Sequence, residues 1–316
     1  MRKIILDFEK PLVELEKKLE LLKKLPSSQE EDIIKEITSL EEEIGKLREK
    51  IYLNLTPWQK VQLSRHPERP KTLDYIGEIF TDFIELHGDR LFKDDPAIVC
   101  GLAYLEDYKV AIVGHQKGKN VTENIIRNFG MPHPEGYRKA LRLMKLAEKF
   151  SLPIISFIDT QGAYPGIGAE ERGQAWAIAE NIKTMGLLKT PIIAVNIGEG
   201  GSGGALAVGV GDKLLMLENA YYSVITPEGC ASILWQDPSK ASKAAEALKL
   251  TANELKEMGI VDEIIPEPLG GAQEDSYSVS QKIKDSLLKN LNILTKKSPD
   301  KLVSARWNRI KNAGTK

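Results

Sequence analysis

Apolar residues recur every three or four positions along two stretches at the start of the chain. This spacing places each set on one face of a helix, with Glu and Lys on the other faces. Pro26-Ser27-Ser28 separates the two stretches, so we predict an αα-hairpin. The pattern leaves open whether the apolar faces pack on their own domain or grip another subunit. The two stripes are Phe8, Leu12, Leu15, Leu19 and Leu22, and Ile33, Ile37, Leu40, Ile44, Leu47 and Ile51.

The chain then changes from helical to β periodicity. Prolines within residues 56–70 break the helical pattern, and residues 72–86 predict a helix that ends near Gly88. Residues 97–105 and 108–114 alternate in the manner of strands and flank a short polar turn. They predict a β-hairpin.

Helices and buried strands alternate from residue 134 onward. Residues 134–150 and 170–188 predict helices, and the contiguous apolar run at 153–158 predicts a strand buried on both faces. A glycine-rich turn at 159–166 follows that strand, and a similar strand, turn and helix follow at 190–210. Open α/β sheets bind ligands at the carboxyl ends of their strands, where both turns are expected to lie. The helix at 170–188 is expected to direct inward Ala175, Ile178, Ala179, Ile182 and Met185.

The stretch at 190–210 carries the densest chemical signal in the chain. A β-branched apolar run breaks into five glycines within seven residues, from Gly198 to Gly204, and a short helix follows. Glycine lets a ligand approach the backbone, and the first amides of a helix have no intrahelical partner. The stretch therefore predicts a site for a phosphate or for an oxyanion that forms only during a reaction. The alternative is a turn that needs small residues for packing.

Three other motifs overlap the same glycines. Gly198, Gly200 and Gly203 match the dinucleotide fingerprint, but the following helix has room for only about eight residues, and a Rossmann crossover helix is longer. No Lys-Ser/Thr pair follows Gly204, which excludes a Walker loop. A Gly-x-Ser-x-Gly pattern centres on Ser202, but no histidine follows that serine in the chain, as a hydrolase triad requires.

Composition places the chain among ordinary globular proteins. It has 316 residues, of which 42% are hydrophobic and 28% charged, and a net charge of −1, which gives no indication of nucleic-acid binding. Its only cysteines, Cys100 and Cys230, form neither a disulfide framework nor a four-cysteine zinc site, so a reducing cytoplasm is expected. The charged N-terminus and the lack of any run of about 18 apolar residues predict neither a signal peptide nor a membrane span.

Histidines and basic residues outside the glycine stretch have weaker interpretations. His66 and His87 are expected to be surface or capping residues. Residues 115–119, a histidine and two lysines after a strand, indicate either a phosphate or acyl-carrier contact or a solvated loop. After helices at 241–250 and 251–258, residues 279–294 predict the last helix, and the basic end is expected to be a solvated tail or a contact to an acidic partner.

The glycine stretch lacks a nearby acid–base pair in sequence, so we expect it to stabilise charge more than to move protons. An enolate next to a thioester carbonyl is one such charge, and paired backbone amides stabilise its oxygen. Carboxyl transfer from a carboxylated urea also generates an oxyanion, which can itself take the substrate proton. Carboxyl transfer therefore suits the stretch.

The chain resembles the carboxyltransferase alpha subunit of bacterial-type, multi-subunit acetyl-CoA carboxylase almost from end to end. Any one of the matching motifs is weak, but together they are specific. They are Leu6-Asp7-Phe8-Glu9, Gly114-His115-Gln116-Lys117-Gly118, Arg127-Asn128-Phe129-Gly130-Met131-Pro132, Pro134-Glu135-Gly136-Tyr137-Arg138-Lys139-Ala140, Gly168-Ala169-Glu170-Glu171-Arg172-Gly173-Gln174, the glycine stretch, residues 223–235 and residues 264–272.

The resemblance implies an α/β fold of the crotonase/ClpP-like type, a spiral of repeated β-β-α units with an N-terminal helical hairpin and a C-terminal helix. It divides the chain into an N-terminal helix at 1–30, a carboxyltransferase domain at 31–293 and a basic tail at 294–316. Within the domain, a helical lead-in at 31–55 precedes a crotonase-like core at 56–270.

The resemblance also implies an assembly and a reaction. Two alpha and two beta subunits would work with biotin carboxylase and the biotin carboxyl carrier protein in the cytoplasm. The carrier supplies carboxybiotin and acetyl-CoA is the substrate, giving malonyl-CoA for fatty acid biosynthesis. No covalently bound cofactor, nucleic acid or membrane is expected. Zinc is expected only in the beta subunit, which carries the zinc ribbon; the presence of only two cysteines in this chain agrees with that expectation.

Site residues follow from the resemblance position by position. Gly203 and Gly204 correspond to the pair thought to hold the biotin urea oxygen, while the beta subunit holds the thioester oxygen. Gln161 departs from the family, which usually has proline at this position. Glutamine leaves φ free and restores the backbone N–H donor that proline lacks. The turn is therefore expected to be looser, or Gln161 to hydrogen-bond the ligand. The expected substrate- and biotin-binding residues are Gly162, Ala163, Tyr164, Gly166, Gly200, Gly201 and Ser202.

Two alternatives remain from the sequence. A self-sufficient crotonase-type hydratase or isomerase would need a carboxylate near the acyl pocket, for which Glu170, Glu171 and Glu199 are candidates. A non-catalytic scaffold would use the glycines for close packing alone. In that case Gly204→Val would alter assembly or stability without a specific loss of turnover.

Overall fold

An N-terminal helical hairpin precedes the rest of the fold in a computed structural model that describes residues 4–25 and 30–315. Helices α1 (Lys10–Lys23) and α2 (Glu31–Tyr52) pair antiparallel, with ion pairs between Glu16 and Arg48 at 2.7 Å and between Lys23 and Glu41. The predicted αα-hairpin is confirmed, although its Pro26-Ser27-Ser28 break lies outside the described residues.

The hairpin packs on the chain's own residues along one face. Leu12 is fully buried in a cluster with Tyr52 and with Leu63, which follows the hairpin in sequence. Leu21 and Leu53 are largely exposed. The hairpin therefore covers part of its apolar stripe intramolecularly and leaves other apolar residues at the surface.

One eight-stranded sheet forms the centre of the protein. Its order is β1-β2-β3-β4-β5-β6-β8, and β7 pairs with β5 beyond the end of β6. The first two pairings are antiparallel and the others are parallel. The strands are β1 (Thr81–Glu85), β2 (Ile98–Leu105), β3 (Tyr108–His115), β4 (Ile154–Thr160), β5 (Ile192–Gly201), β6 (Lys213–Leu217), β7 (Tyr221–Ser223) and β8 (Glu263–Ile265).

Helices cover the sheet, so the central strands are buried on both faces. All seven residues of β4 and all ten of β5 are buried, as their contiguous apolar runs predict. The helices beyond the hairpin are α3 (Pro57–Ser64), α4 (Thr72–Ile79), α5 (Val121–Ile126), α6 (Pro134–Lys149), α7 (Ile167–Glu171), α8 (Gln174–Leu187), α9 (Ser202–Gly209), α10 (Pro227–Trp235), α11 (Ala241–Leu248), α12 (Ala252–Glu257), α13 (Ser276–Leu294) and α14 (Pro299–Lys311).

The helix predicted at 72–86 is wrong in its second half. The helix α4 ends at Ile79, and the chain continues as β1, which pairs antiparallel with β2. The ring of Phe83 packs where a side chain on Gly101 of β2 would stand. Pairing with a distant strand therefore overrides the local helical periodicity.

The helix predicted at 170–188 is interrupted. Gly173 adopts φ 82°, a left-handed conformation that ends α7 and restarts the chain as α8. The restart changes the buried face, so Ala175 and Ala179 are exposed although they were expected to face inward. The buried residues of α8 are Gln174, Ala177, Asn181, Met185 and Gly186.

The solvated tail expected at the basic end is also wrong. Residues 299–311 form α14, and the guanidinium of Arg306 is fully buried against Asp212. Arg309 pairs with Asp262 at 2.7 Å. Acidic groups directly before β6 and β8 thus hold the basic helix, and residues 279–294 are not the last helix.

Among residues 4–25 and 30–315, no helix combines the length and apolar character needed to cross a bilayer. His66, expected to be a surface or capping residue, is buried and not at the surface, and its ring caps the backbone by accepting a hydrogen bond from the amide of Glu68. His87 is exposed as expected.

Candidate active site

The glycine stretch remains a strand for longer than its sequence predicts. Residues 199–201 pair with β7 on one side, and Gly200 aligns with Thr160 of β4 on the other. A side chain on Gly200 would collide with the Tyr222 ring, and one on Gly201 with the carbonyl of Gln161. These two glycines allow close strand packing, and the chain leaves the sheet only after Gly201.

Helix α9 begins directly at the end of β5 and has eight residues, as the spacing of its glycines predicts. Ser202 opens it with φ 54°, a left-handed conformation that turns the chain sharply. Within the described residues, no hydrogen bond uses the amides of Gly203 or Gly204. The first turn therefore presents two unpaired donors, as expected for a helix N-terminus.

A surface pocket of about 410 Å³, called here the glycine pocket, is lined by both glycines. The turn after β4 forms its opposite wall. A β-carbon on Gly204 would lie 2.6 Å from the nitrogen of Ala163, whereas one on Gly203 would be 3.6 Å from the Ile178 side chain. Six of the nine predicted site residues line the pocket: Gly162, Ala163, Tyr164, Ser202, Gly203 and Gly204.

The remaining three predicted site residues do not line the glycine pocket. Gly200 and Gly201 are buried within β5. Gly166 lies against the Tyr164 ring, where a larger residue would collide. All three shape the backbone that forms the pocket, while their contact with a ligand stays a prediction.

Side chains outside the motif hold the turn after β4 in place. The side-chain Nε2 of Gln174 donates to the carbonyl oxygens of Pro132 at 2.8 Å and Tyr164 at 2.9 Å. The hydroxyl of Thr160 donates to the carbonyl of Gly162 at 2.7 Å. The His133 ring packs on Tyr164 with centroids 4.2 Å apart. The wall opposite α9 is thus fixed before a ligand arrives.

Gln161, which departs from the family pattern, is exposed at the edge of the glycine pocket. Its side-chain Nε2 lies 3.2 Å from the sulfur of Met131. Its carbonyl is packed under Gly201. The backbone of this residue is therefore held by the sheet, and its side chain contacts a neighbouring loop.

A buried network of ions lies beside the glycine pocket, and the sequence did not reveal it. The ammonium of Lys117 donates to Asp159 at 2.6 Å and to Glu199 at 2.7 Å. Arg65 donates to Glu199 at 2.7 Å, and the Tyr221 hydroxyl donates to the same carboxylate at 2.9 Å. Three adjacent parallel strands bring these groups together: Lys117 follows β3, and Asp159 and Glu199 lie near the carboxyl ends of β4 and β5. Their common position at strand ends is the sequence signal that could have predicted the contact.

This network removes Glu199 from acid–base chemistry at neutral pH. Burial alone would raise its pKa, but Lys117 and Arg65 outweigh burial and lower the pKa to about 2. A carboxylate held ionised by two cations is a poor proton donor or acceptor. Glu170 lines the rim of the glycine pocket and is exposed, whereas Glu171 is exposed outside it.

His115 is not a ligand contact, because it is fully buried between β3 and β4. Its Nδ1 lies 3.4 Å from the amide nitrogen of Asp159, and its Nε2 has no hydrogen-bond partner within the described residues. Burial lowers its pKa to about 4; Asp159 opposes this effect and Lys117 adds to it. The imidazole is therefore neutral at physiological pH.

The buried neutral His115 predicts a specific loss of stability in mild acid. Its pKa falls from 6.5 in the unfolded chain to about 4 in the folded protein, so the unfolded state binds the proton more tightly. The contribution of the neutral imidazole to the free energy of unfolding is therefore complete above pH 6.5 and is lost as the pH falls toward 4. We expect His115→Gln to flatten the decline in the free energy of unfolding between pH 6.5 and 4.5.

Urea denaturation at several pH values measures this slope. His87→Gln, at an exposed histidine, should retain the wild-type slope. An unchanged slope in His115→Gln would contradict the assignment of a neutral buried imidazole.

Within the described residues, neither a metal site nor a histidine-activated serine accompanies the pocket. Residues 4–25 and 30–315 contain no group of three or more His, Cys, Asp or Glu side chains arranged to hold a metal ion. In the same part of the chain, no histidine hydrogen-bonds Ser202. The arrangement can stabilise a negative charge through backbone amides.

Comparison with known sequences places the whole chain in one group. The family model described as acetyl co-enzyme A carboxylase carboxyltransferase-like matches residues 5–314. The acetyl-coenzyme A carboxylase carboxyl transferase subunit alpha of Thermus thermophilus is 56% identical over 309 residues, 98% of each chain. The corresponding subunit of Oceanobacillus iheyensis is 56% identical over 311 residues, again 98% of each chain.

Comparison with solved structures confirms the predicted crotonase-like α/β fold. Transcarboxylase 12S superposes with a TM-score of 0.58 at 18% identity, covering 72% of this chain and 42% of that one. A Pseudomonas malonate decarboxylase hetero-tetramer in complex with coenzyme A superposes with a TM-score of 0.56 at 16% identity, covering 69% of this chain and 88% of that one.

Proposed function

The chain belongs to the acetyl-CoA carboxylase carboxyltransferase family, and from this premise we propose that Gly203 and Gly204 bind the urea oxygen of biotin during carboxyl transfer. The family reaction moves the carboxyl group from carboxybiotin to acetyl-CoA and yields malonyl-CoA for fatty acid biosynthesis. This chain catalyses it as the alpha half of a biotin-dependent carboxyltransferase.

The observation that carries the proposal is the pair of unpaired amides at the start of α9, on two glycines that line one pocket together with residues 162–164. When biotin gives up its carboxyl group, negative charge develops on the urea oxygen. Two preorganised N–H donors stabilise that charge more than the neutral urea, which is the condition for catalysis. Gly162, Ala163 and Tyr164 would then enclose the bicyclic ring of biotin.

Proton transfer needs no side chain of this chain under the proposal. Once the carboxyl group has left, the urea anion accepts the α-proton of acetyl-CoA, and the resulting enolate takes up the released carbon dioxide. The low pKa of Glu199 agrees with this division of roles and gives no support to a self-sufficient hydratase.

The other half of the site would come from partners. We assign the thioester oxygen to amides of a beta subunit, in an assembly of two alpha and two beta chains, with structural zinc in the beta subunit. The biotin carboxyl carrier protein would deliver carboxybiotin made by biotin carboxylase. We also propose that the chain works in the cytoplasm.

Carboxyl transfer between malonyl-CoA and free biotin tests the proposed function. The chain is assayed alone and then mixed with a zinc-ribbon beta subunit from the same source. We expect activity only in the mixture. Activity of the chain alone would overturn the split site, and no activity in a mixture that assembles would overturn the carboxyl-transfer function. Hydration of an enoyl-CoA by the chain alone would favour the hydratase alternative.

A further inference from the structure

A second and larger cavity adjoins the glycine pocket. It has a volume of about 710 Å³ and shares Gln161 and Thr226 with the glycine pocket. Apolar side chains, among them the exposed Val121 and the half-exposed Phe129, form part of its rim. A ligand long enough to pass Gln161 could therefore occupy both spaces at once.

Basic residues dominate the charged lining of this cavity. Arg65, Lys71, Lys117 and Lys119 line it, against the two carboxylates Glu199 and Glu228. Such a surplus of cations in a partly enclosed space attracts an anionic ligand.

Three of the four cations already have partners. Arg65 pairs with Glu199 and Glu228, and Lys117 pairs with Glu199 and with Asp159 behind the cavity wall. The third of these cations, Lys119, pairs with Asp74 at the exposed edge.

Lys71 is the exception. Its ammonium has no ion pair or hydrogen bond within the described residues, although the residue is only 6% exposed. Burial lowers its pKa to about 8; Asp159 opposes this effect, whereas Lys117 and Arg69 add to it. A buried lysine without a partner is costly, and an incoming anion would compensate it.

We propose that Lys71 binds a phosphate or carboxylate group of the acyl-CoA substrate in this cavity. The inference rests on the proposed function, because the thioester must reach the biotin held in the glycine pocket. The available anions are the phosphates of CoA, present in acetyl-CoA and malonyl-CoA alike, and the free carboxylate of the malonyl group, present only in malonyl-CoA, the substrate of the reverse reaction. Both are oxyanions that accept hydrogen bonds from an ammonium group.

Affinities of the assembled alpha–beta complex test the proposal without depending on turnover. Calorimetry measures the dissociation constants of CoA, malonyl-CoA and the malonyl thioester of N-acetylcysteamine, which lacks the nucleotide. We expect Lys71→Met to weaken at least one of these ligands by about tenfold or more. Lys109→Met, at an exposed lysine outside the cavity, is the matched control.

The pattern across ligands identifies the anion. Weaker binding of CoA and malonyl-CoA, with the short thioester unchanged, supports a phosphate contact. Weaker binding of both malonyl ligands, with CoA unchanged, supports a carboxylate contact. Unchanged affinities for all three ligands, or an equal loss in Lys109→Met, would overturn the proposal.

Two further readouts keep the outcomes distinct. Removal of an unpaired buried charge should not lower the thermal midpoint of the complex, and Lys71→Gln replaces Lys71→Met if the latter does not assemble. If the wild-type complex binds CoA as expected but transfers no carboxyl group, the proposed function fails while the role of Lys71 is still decided by the affinities. If the wild-type complex binds none of the three ligands, the role of Lys71 is overturned.

Discussion

Gly204→Ala should reduce carboxyl transfer by the assembled enzyme about 100- to 1,000-fold, a loss like that of removing one oxyanion-hole donor, because the added methyl group displaces the amide. The new β-carbon would lie 2.6 Å from the nitrogen of Ala163 and from the carbonyl carbon of Gly162. Backbone on both sides must move apart to relieve this contact. The amides at the start of α9 and the turn after β4 would then no longer enclose the same space.

Gly77→Ala is the matched control for this variant. It adds the same methyl group to a glycine of α4 outside the pocket, where the new β-carbon meets no atom within 4 Å. We expect this variant to retain most of the activity. Turnover at saturating substrate is measured together with the thermal midpoint and the mass of the complex.

The result also separates the catalytic account from a packing role. If Gly204→Ala loses stability or assembly in proportion to its activity, the glycines serve packing alone, as the scaffold alternative holds. Retained assembly with lost turnover supports the oxyanion role. Equal activity of Gly204→Ala and the wild type would contradict it.

Arg306→Met should lower the free energy of unfolding by about 3–5 kcal/mol, the usual cost of removing one partner from a buried ion pair. The guanidinium donates to Asp212 and to the carbonyl oxygens of Met185, Leu188 and Thr190. Methionine would leave a buried carboxylate and three carbonyls without these donors.

The position of Arg306 explains the size of this effect. Its contacts join α14 to the end of α8 and to the segment that begins β5, the strand that leads to the glycine pocket. Lys301→Met removes a positive charge from an exposed position on the same helix and should change stability by less than about 0.5 kcal/mol. Chemical denaturation compares the two, and a similar small effect for both would contradict the structural role of Arg306.

The central part of the fold was predictable from the sequence because its signals are local. The contiguous apolar runs of β4 and β5 identify buried strands, and parallel neighbours bring their carboxyl ends together. That geometry joins residues 162–164 to Gly203 and Gly204, as predicted. The αα-hairpin and the β2–β3 hairpin follow equally from periodicity.

Several of the errors share a physical cause, since they depend on a partner distant in sequence, whereas the break between α7 and α8 is local to Gly173. The strand β1 forms because β2 offers an edge, and α14 folds onto the protein because Asp212 receives Arg306 from 94 residues away. Lys117 meets Asp159 and Glu199 across 42 and 82 residues. The basic end and the loop at 115–119 resembled solvated segments because only their content of charged residues was visible in the sequence.

Isotope-edited infrared spectroscopy of the assembled enzyme would test the central claim most directly. Biotin labelled with carbon-13 at its urea carbonyl, and acetyl-CoA labelled at its thioester carbonyl, report separately on the two oxyanion sites. Because hydrogen bonds weaken a carbonyl bond, we expect binding to lower the urea stretching frequency in the wild type. That shift should be lost in Gly204→Ala, with the thioester frequency unchanged. A thioester frequency that responds to Gly204→Ala, with an unaffected urea frequency, would contradict the assignment of this glycine pair to biotin.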